Sequence, residues 1–206
     1  TRRSSDLVVA STTTDAAHVE LLQLQDAVRE AGVDEVVTVL PYMGYGRQER
    51  AFEPGQPVSA RAVARAVSTG TDRVVLVDPH EASVHEFFDA PFTVVNAAAR
   101  LATPLPDLTD PLFLSPDAGA IDLAEAVRDA YGRGAVDYFE KVRHSGTEVE
   151  ITPSDAVVAG RDVVVVDDIV ATGSTMSESI AVLHDREAAG VYVTCVHPLF
   201  ARNART

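Results

Sequence analysis

Two adjacent carboxylates followed by hydroxyls and a glycine, in VVVVDDIVATGSTM over residues 163–176, form a pattern able to hold a phosphorylated sugar. Asp167 and Asp168 can accept hydrogen bonds from a sugar diol. Beyond them Ala171, Thr172, Gly173, Ser174 and Thr175 can offer backbone N–H groups and hydroxyls at a helix N-terminus, a favourable seat for a phosphate. Together the two halves suit a ribose phosphate. The plainer reading is a buried strand followed by an N-capped helix, with Ser174 or Thr175 as the cap. There is no G-x-x-x-x-G-K-[ST], so this is not a Walker-type nucleotide loop.

Four further places carry chemistry-bearing residues. In PYMGYGRQER (41–50) a proline and two glycines break the chain and present Arg47 and Gln48. A guanidinium fork suits phosphate oxygens, and an amide suits a nucleobase or ribose; the alternative is a surface arginine paired with Glu49 or Glu53. His80 follows Asp78 and Pro79 at a strand end, where a lone histidine is more often packed or solvated than a ligand. Asp117, in FLSPDAG, reads either as a turn or N-cap aspartate or as a cation ligand. Lys141 is the one lysine among 17 basic residues and lies two positions from Arg143 in a polar stretch expected to be a loop. Selection for a compact, rotatable ammonium accounts for it, against chance retention on a solvated loop. His18, His85, His144, His184 and His197 are assigned no role.

These residues need a scaffold that sets them at strand ends. Short β-branched runs alternate with helix-like stretches, the pattern of parallel βαβ units. Strands are expected at 7–10, 35–40, 73–77, 92–95, 111–114, 135–139, 162–166 and 191–196, and helices at 16–31, 59–68, 119–131 and 174–189. Because the strand runs are apolar at both alternating sets of positions, sheets covered on both faces are expected. In such folds ligands gather beyond the carboxyl ends of the strands. A proline- and aspartate-rich seam at 102–111, ATPLPDLTDP, divides the chain into similar halves, 1–103 and 104–206. The strand ends VVLVD (74–78) and VVVVD (163–167) hint weakly at related domains.

Composition narrows the partners. The chain of 206 residues carries 31 acidic against 17 basic residues, a net charge of −14, which argues against a broad nucleic-acid footprint. Any bound anion must be caught locally. The basic residues are 16 arginines and Lys141, and an acidic, Ala- and Val-rich chain almost free of lysine reads as one kept soluble in high salt. Apolar residues make up 46% with no run of membrane-spanning length, and the single Cys195 excludes an internal disulfide and fits a reducing, cytoplasmic setting. No signal peptide is expected at the N-terminus.

The ordered set PYMGYGRQER, VDPHEASVHEFFDAP (77–91), SPDAGA (115–120), EKVRHSGTEVE (140–150) and VVVVDDIVATGSTM resembles the ribose-phosphate pyrophosphokinases, or PRPP synthetases. The last stretch by itself is similar to the signature they share with type I phosphoribosyltransferases. SGTEVE and ATGST look closer to archaeal-type members. The resemblance implies an α/β fold of two phosphoribosyltransferase-like domains, each a mainly parallel sheet flanked by helices, with 1–103 on the ATP side and 104–206 on the ribose 5-phosphate side. It implies pyrophosphoryl transfer from MgATP to ribose 5-phosphate, giving AMP and phosphoribosyl pyrophosphate. Arg47 and Gln48 would contact ATP, and His80 and Asp117 would contact Mg²⁺. Lys141 and Arg143 would belong to a flap over the reacting phosphates. Asp167 would hold the ribose diol, residues 171–175 the 5-phosphate, and Asp168 the sugar or a second cation. A homo-oligomer is implied, since the family's ATP site commonly uses a neighbouring subunit.

There are departures. Pro79 stands where leucine is more usual, and Ala171 where an acidic or hydroxyl residue is common. An early F-P-D-G-E-like adenine loop and the usual final stretch are missing, so the chain is expected to lack flanking segments. A phosphoribosyltransferase would have no reason for the Arg47–Gln48 and Lys141–Arg143 motifs, and a non-catalytic regulatory homologue would be expected to have lost flap or metal residues.

Overall fold

The structure, a computed structural model, describes residues 5–143, 149–154 and 156–201, with side chains outside the description for 141–143 and 149–152. The chain forms two units, Thr1–Asn96 and Ala97–Thr206.

The first unit is built on four parallel strands in the order β1 (Ser5–Val9), β2 (Glu35–Leu40), β3 (Arg73–Val77) and β4 (Phe92–Val95). Helix α1 (Asp15–Glu30) joins β1 to β2, and α2 (Ser59–Ser68) lies between β2 and β3. Thr14 starts α1 by accepting the Ala17 N–H on its hydroxyl, the usual duty of an N-cap threonine. The face carrying Val8, Val36, Leu40, Val74 and Leu76 is buried with Leu21 of α1 and Ala60, Ala64 and Val67 of α2. Alternation along the strands puts Leu7, Val9 and Val95 on the opposite face. That face is not covered as the apolar runs led us to expect: Leu7 is 67% and Val9 59% exposed.

The second unit has the strand order β7-β6-β5-β8-β9. These are β5 (Leu112–Ser115), β6 (Ala135–Arg143), β7 (Val149–Pro153), β8 (Asp162–Val170) and β9 (Gly190–Pro198), all parallel except β7, which runs against β6. Here both faces are covered. Helices α3 (Ala98–Ala102) and α4 (Ile121–Tyr131) pack on Phe113, Val164 and Val166, while α5 (Ser174–Asp185) packs Met176 and Leu183 on Leu112, Leu114, Val163 and Val165. The uninterrupted valines of β8 are thus a central strand buried on both sides.

Helix α3 has no counterpart in the sequence reading. Its Ala98 and Ala102 are buried with Leu108 and Phe113, which is why the second unit begins at Ala97, ahead of the proline seam. The largest changes at expected strand ends are in β8 and β6. β8 continues through Asp167 and Asp168 to Val170, since β9 supplies partners as far as Pro198. β6 continues through Lys141 to Arg143, with Lys141 opposite Ile151 and Arg143 opposite Val149 of β7. The polar stretch expected to be a loop is therefore strand in its backbone: the Val, Ile alternation of 149–153 gives it an antiparallel partner.

Candidate active site

In the second unit the candidate site is built where β8 gives way to α5. Asp167 and Asp168 are half-buried within the last four residues of β8, and the Asp168 N–H donates to Asp167 Oδ1 at 2.9 Å. Burial, then the charge of Asp168 beside it, pushes the Asp167 carboxyl up to about 6. Water that would stabilise its charge is withdrawn, and a like charge is added. Such a carboxylate gains from any donor that arrives, and a sugar diol brings two. The Cys195 thiol, opposite Asp167 on β9, is likewise pushed up, first by burial and then by the Asp167 charge.

Past Val170 the chain runs through Ala171 and Thr172 to Gly173, whose φ of 80° is the left-handed conformation that glycine takes without penalty. Gly173 is the N-cap of α5, and among the described residues no side chain caps that helix. Neither Ser174 nor Thr175 serves as the cap; the Ser174 hydroxyl lies 3.1 Å from that of Thr172. The first-turn N–H groups of α5 therefore rely on something other than a side-chain cap, and the partial positive charge of the helix end favours an anion there. Residues 171–175 thus form the connection from the end of β8, the strand that carries Asp167 and Asp168, to the first turn of α5.

Asp117 lies beyond β5. Its Oδ1 accepts the Gly119 N–H at 3.0 Å and caps a short 3-10 turn, Ala118–Ala120, that leads into α4. Ser115, fully buried, donates its hydroxyl to the Asp117 carbonyl at 2.6 Å and so holds the exposed carboxylate at the strand end. The backbone of Lys141 and Arg143 is in β6; their side chains, and His144, lie outside the described residues.

In the first unit the Arg47–Gln48 loop is tied down from two sides. Thr12, buried, accepts the Gly44 N–H on its hydroxyl at 2.8 Å and donates its own N–H to the Tyr42 carbonyl at 3.0 Å. A Cβ at Gly44 would collide with the Thr12 carbonyl and the His18 ring, so only glycine permits this approach. Gln48 is held by α2: its carbonyl accepts the Ala60 N–H at 3.2 Å and its Oε1 lies 2.6 Å from the Ser59 hydroxyl. Arg47 is exposed, and Glu49 pairs with Arg50, not with Arg47. Tyr45 adopts φ 63°, an uncommon state for a non-glycine residue, and donates its hydroxyl to Asp15 at 2.7 Å. His80 is exposed just after Asp78, which holds φ 34° and donates its N–H to the Val95 carbonyl at 3.1 Å. His85 stacks on Phe92 with centroids 4.3 Å apart, a packing role.

Sequence reasoning missed Ser59, Thr12 and Ser115. Each acts through a contact distant in sequence or through the backbone, and none belongs to a periodic or clustered pattern. For Ser59 the one available signal is its place at the first turn of a helix that follows the Arg47–Gln48 motif. Ser59→Ala is expected to raise the concentration of ATP needed for half-saturation about threefold to tenfold, as for loss of one net hydrogen bond, while ribose 5-phosphate binding is unchanged; parallel titrations with the two ligands check this.

Residues 2–70 match the N-terminal domain of ribose phosphate pyrophosphokinase, and residues 94–206 match the phosphoribosyl transferase domain. The chain is 66% identical over 200 residues to a ribose-phosphate pyrophosphokinase of Halobacterium salinarum, covering 97% of this chain and 70% of that protein. It belongs to the ribose-phosphate pyrophosphokinase family. A second member, from Methanopyrus kandleri, is 47% identical over 184 residues, 88% of this chain and 63% of the relative. The crystal structure of phosphoribosylpyrophosphate synthetase from Mycobacterium smegmatis superposes with a TM-score of 0.82 at 26% identity, over 97% of this chain and 66% of that one. The chain thus spans about two thirds of the length of its relatives, from 63% to 70%. Within the pyrophosphokinase match, Arg47 and Gln48 fall in the N-terminal domain, and Asp117, Lys141, Arg143 and the 167–175 segment fall in the phosphoribosyl transferase domain. His80 lies between the two matched segments.

Proposed function

We propose that this chain catalyses pyrophosphoryl transfer from MgATP to the anomeric hydroxyl of ribose 5-phosphate, releasing AMP and forming phosphoribosyl pyrophosphate. The observation that carries the reading is the Asp167–Asp168 pair near the end of β8, followed within six positions by a helix whose N-terminus has no side-chain cap. A vicinal diol and a phosphate at the two ends of one small sugar match those two halves.

In this reading the residues bind and orient. The 171–175 segment takes the 5-phosphate on backbone N–H groups and hydroxyls, with Ala171 offering backbone alone. Asp167 accepts the ribose diol, and Asp168, hydrogen-bonded to it through its N–H, supports the sugar or a second cation. Arg47 and Gln48 contact ATP, with Gln48 oriented by Ser59. Lys141 and Arg143 place positive charge on the transferring group. The sugar hydroxyl attacks the β-phosphorus and the bond to the α-phosphate oxygen breaks, so catalysis is chiefly alignment and neutralisation of developing charge.

The family implies Mg²⁺, and the donor set fits it. Asp117 is an exposed carboxylate with one oxygen committed to Gly119, and among the described residues no three His, Cys, Asp or Glu side chains gather into a closed cage. A hard ion that keeps several waters and binds chiefly through substrate phosphates needs few protein donors. Asp117 in the second unit and His80 in the first are each proposed as a contact to it. Bound there, Mg²⁺ would neutralise and polarise the polyphosphate.

Among the described residues no helix is long and apolar enough to cross a membrane. The half-buried Cys195 thiol suits a cytoplasmic protein, and self-association is part of the proposal, since family members commonly complete the ATP site with a neighbouring subunit. The direct test is AMP release from ATP, Mg²⁺ and ribose 5-phosphate, beside calorimetric titration of ribose 5-phosphate alone. AMP release that depends on the pentose phosphate supports the reading; no pentose-phosphate binding overturns it.

A further inference from the structure

We infer that residues 199–201, beyond the end of β9, are a positioning strap for the sugar-phosphate loop, acting through main-chain N–H groups. The inference rests on the reading of 171–175 as the 5-phosphate seat. The β8–β9 ladder ends with Ile169 opposite His197 and Val170 opposite Pro198. Pro198 has no N–H, so the ladder cannot extend through it in the ordinary way. Instead the Val170 carbonyl accepts two N–H groups, from Leu199 at 3.0 Å and from Phe200 at 3.2 Å, and the Ala171 carbonyl accepts the Ala201 N–H at 2.7 Å. Ala171 is the first residue of the loop.

The backbone that achieves this is unusual. Phe200 holds φ 47°, in the left-handed region that a side chain disfavours. That turn lets consecutive N–H groups converge on one carbonyl and the next reach the neighbouring one. A non-glycine residue kept in this state is a feature that the surrounding structure enforces, and it adjoins the candidate site. The exit side of the loop is held by α5, where the Ser177 N–H donates to the Gly173 carbonyl at 2.8 Å. The strap holds the entry side. A loop whose N–H groups must converge on one phosphate binds more tightly when it is ordered beforehand, because less ordering is left to the ligand.

Because the strap works through N–H groups and not side chains, the test removes a donor. Ala201→Pro deletes the N–H that reaches Ala171, and Ala201→Gly keeps it. With ribose 5-phosphate titrated calorimetrically into the chain, Ala201→Pro is expected to bind about tenfold more weakly, while Ala201→Gly stays within about twofold of the parent. ATP affinity should stay unchanged in both. A companion measurement uses the unsubstituted chain: the amides of 199–201 should exchange more slowly once ribose 5-phosphate is bound. If the parent binds the sugar phosphate and Ala201→Pro binds it equally well, the strap is overturned while the site reading stands. If Ala201→Pro does not fold, amide exchange decides, and unchanged protection of 199–201 on binding overturns the strap. If the parent does not bind ribose 5-phosphate, the site reading fails and the inference with it.

Discussion

Lys141→Ala is expected to slow pyrophosphoryl transfer about a hundredfold to a thousandfold, the usual cost of removing one group that stabilises transition-state charge, with ribose 5-phosphate affinity changed less than about twofold. Composition and topology both lead there. Of 17 basic residues, 16 are arginine, so a lysine at this position is a departure that a generic surface cation would not require. Its backbone lies where β6 has outrun β5: the last β5–β6 pair is Ser115 with Tyr138, and from Phe139 to Arg143 β6 is paired with β7. An ammonium is a compact, rotatable charge and a guanidinium a planar fork, so Lys141→Arg should restore only a minor part of the rate. Steady-state kinetics beside calorimetry separates the outcomes. Equal losses in rate and in ribose 5-phosphate affinity would assign Lys141 to ground-state binding and refute its role in the transition state.

The family was legible because its motifs lie in short local stretches of sequence. The Asp167–Asp168 pair, the Gly173 turn and the start of α5 lie within the eight positions 167–174, and their order follows from one strand, one turn and one helix. The strand and helix bodies were legible for the same reason: β2, β3, β4 and α2 have the expected bounds, set by β-branched runs and by helical periodicity. What stayed hidden depends on partners far away in the chain. Strand β8 outlasts its valines because β9 offers matching positions, and β6 outlasts its apolar run because 149–153 folds back on it. Helix α3 is five residues long and has no periodicity to read; it exists because Ala98 and Ala102 fit against Leu108 and Phe113. Ser59, whose hydroxyl contacts Gln48 eleven positions earlier, is invisible to any rule about neighbouring residues. The exposed face of the first sheet is the reverse case. Leu7 and Val9 have the apolar pattern of a covered strand, and pattern alone does not say which covering element is present.

Asp167→Asn is expected to divide stability from affinity. The Asp167 carboxyl is raised from its ordinary value of 3.8 to about 6, first by burial and then by the Asp168 charge. A raised carboxylate binds its proton more tightly in the folded chain than in the unfolded one. Its contribution to stability is therefore most favourable below the ordinary value, declines as pH rises from about 4, and is at its least favourable above about 6. A shift of this size corresponds at most to about 3 kcal/mol, and about 1–2 kcal/mol once solvent screening of a partly exposed group is allowed for. Asparagine keeps the shape and has no charge to bury. The variant should therefore be more stable than the parent at pH 8, with the gain shrinking towards pH 5, which paired thermal melts across that range would show. Affinity should move the other way. A carboxylate accepting from a sugar diol makes charge-assisted bonds of about 1.5–3 kcal/mol, so ribose 5-phosphate should bind about tenfold to a hundredfold more weakly to the variant at pH 8. A gain in stability that is the same at pH 5 and pH 8 would show that Asp167 does not titrate in this window. Undiminished sugar-phosphate affinity would show that the diol is held elsewhere. The two readouts fail independently because the first concerns the empty fold and the second concerns the ligand, and their opposition at one residue is what a site that gives up stability for binding should display.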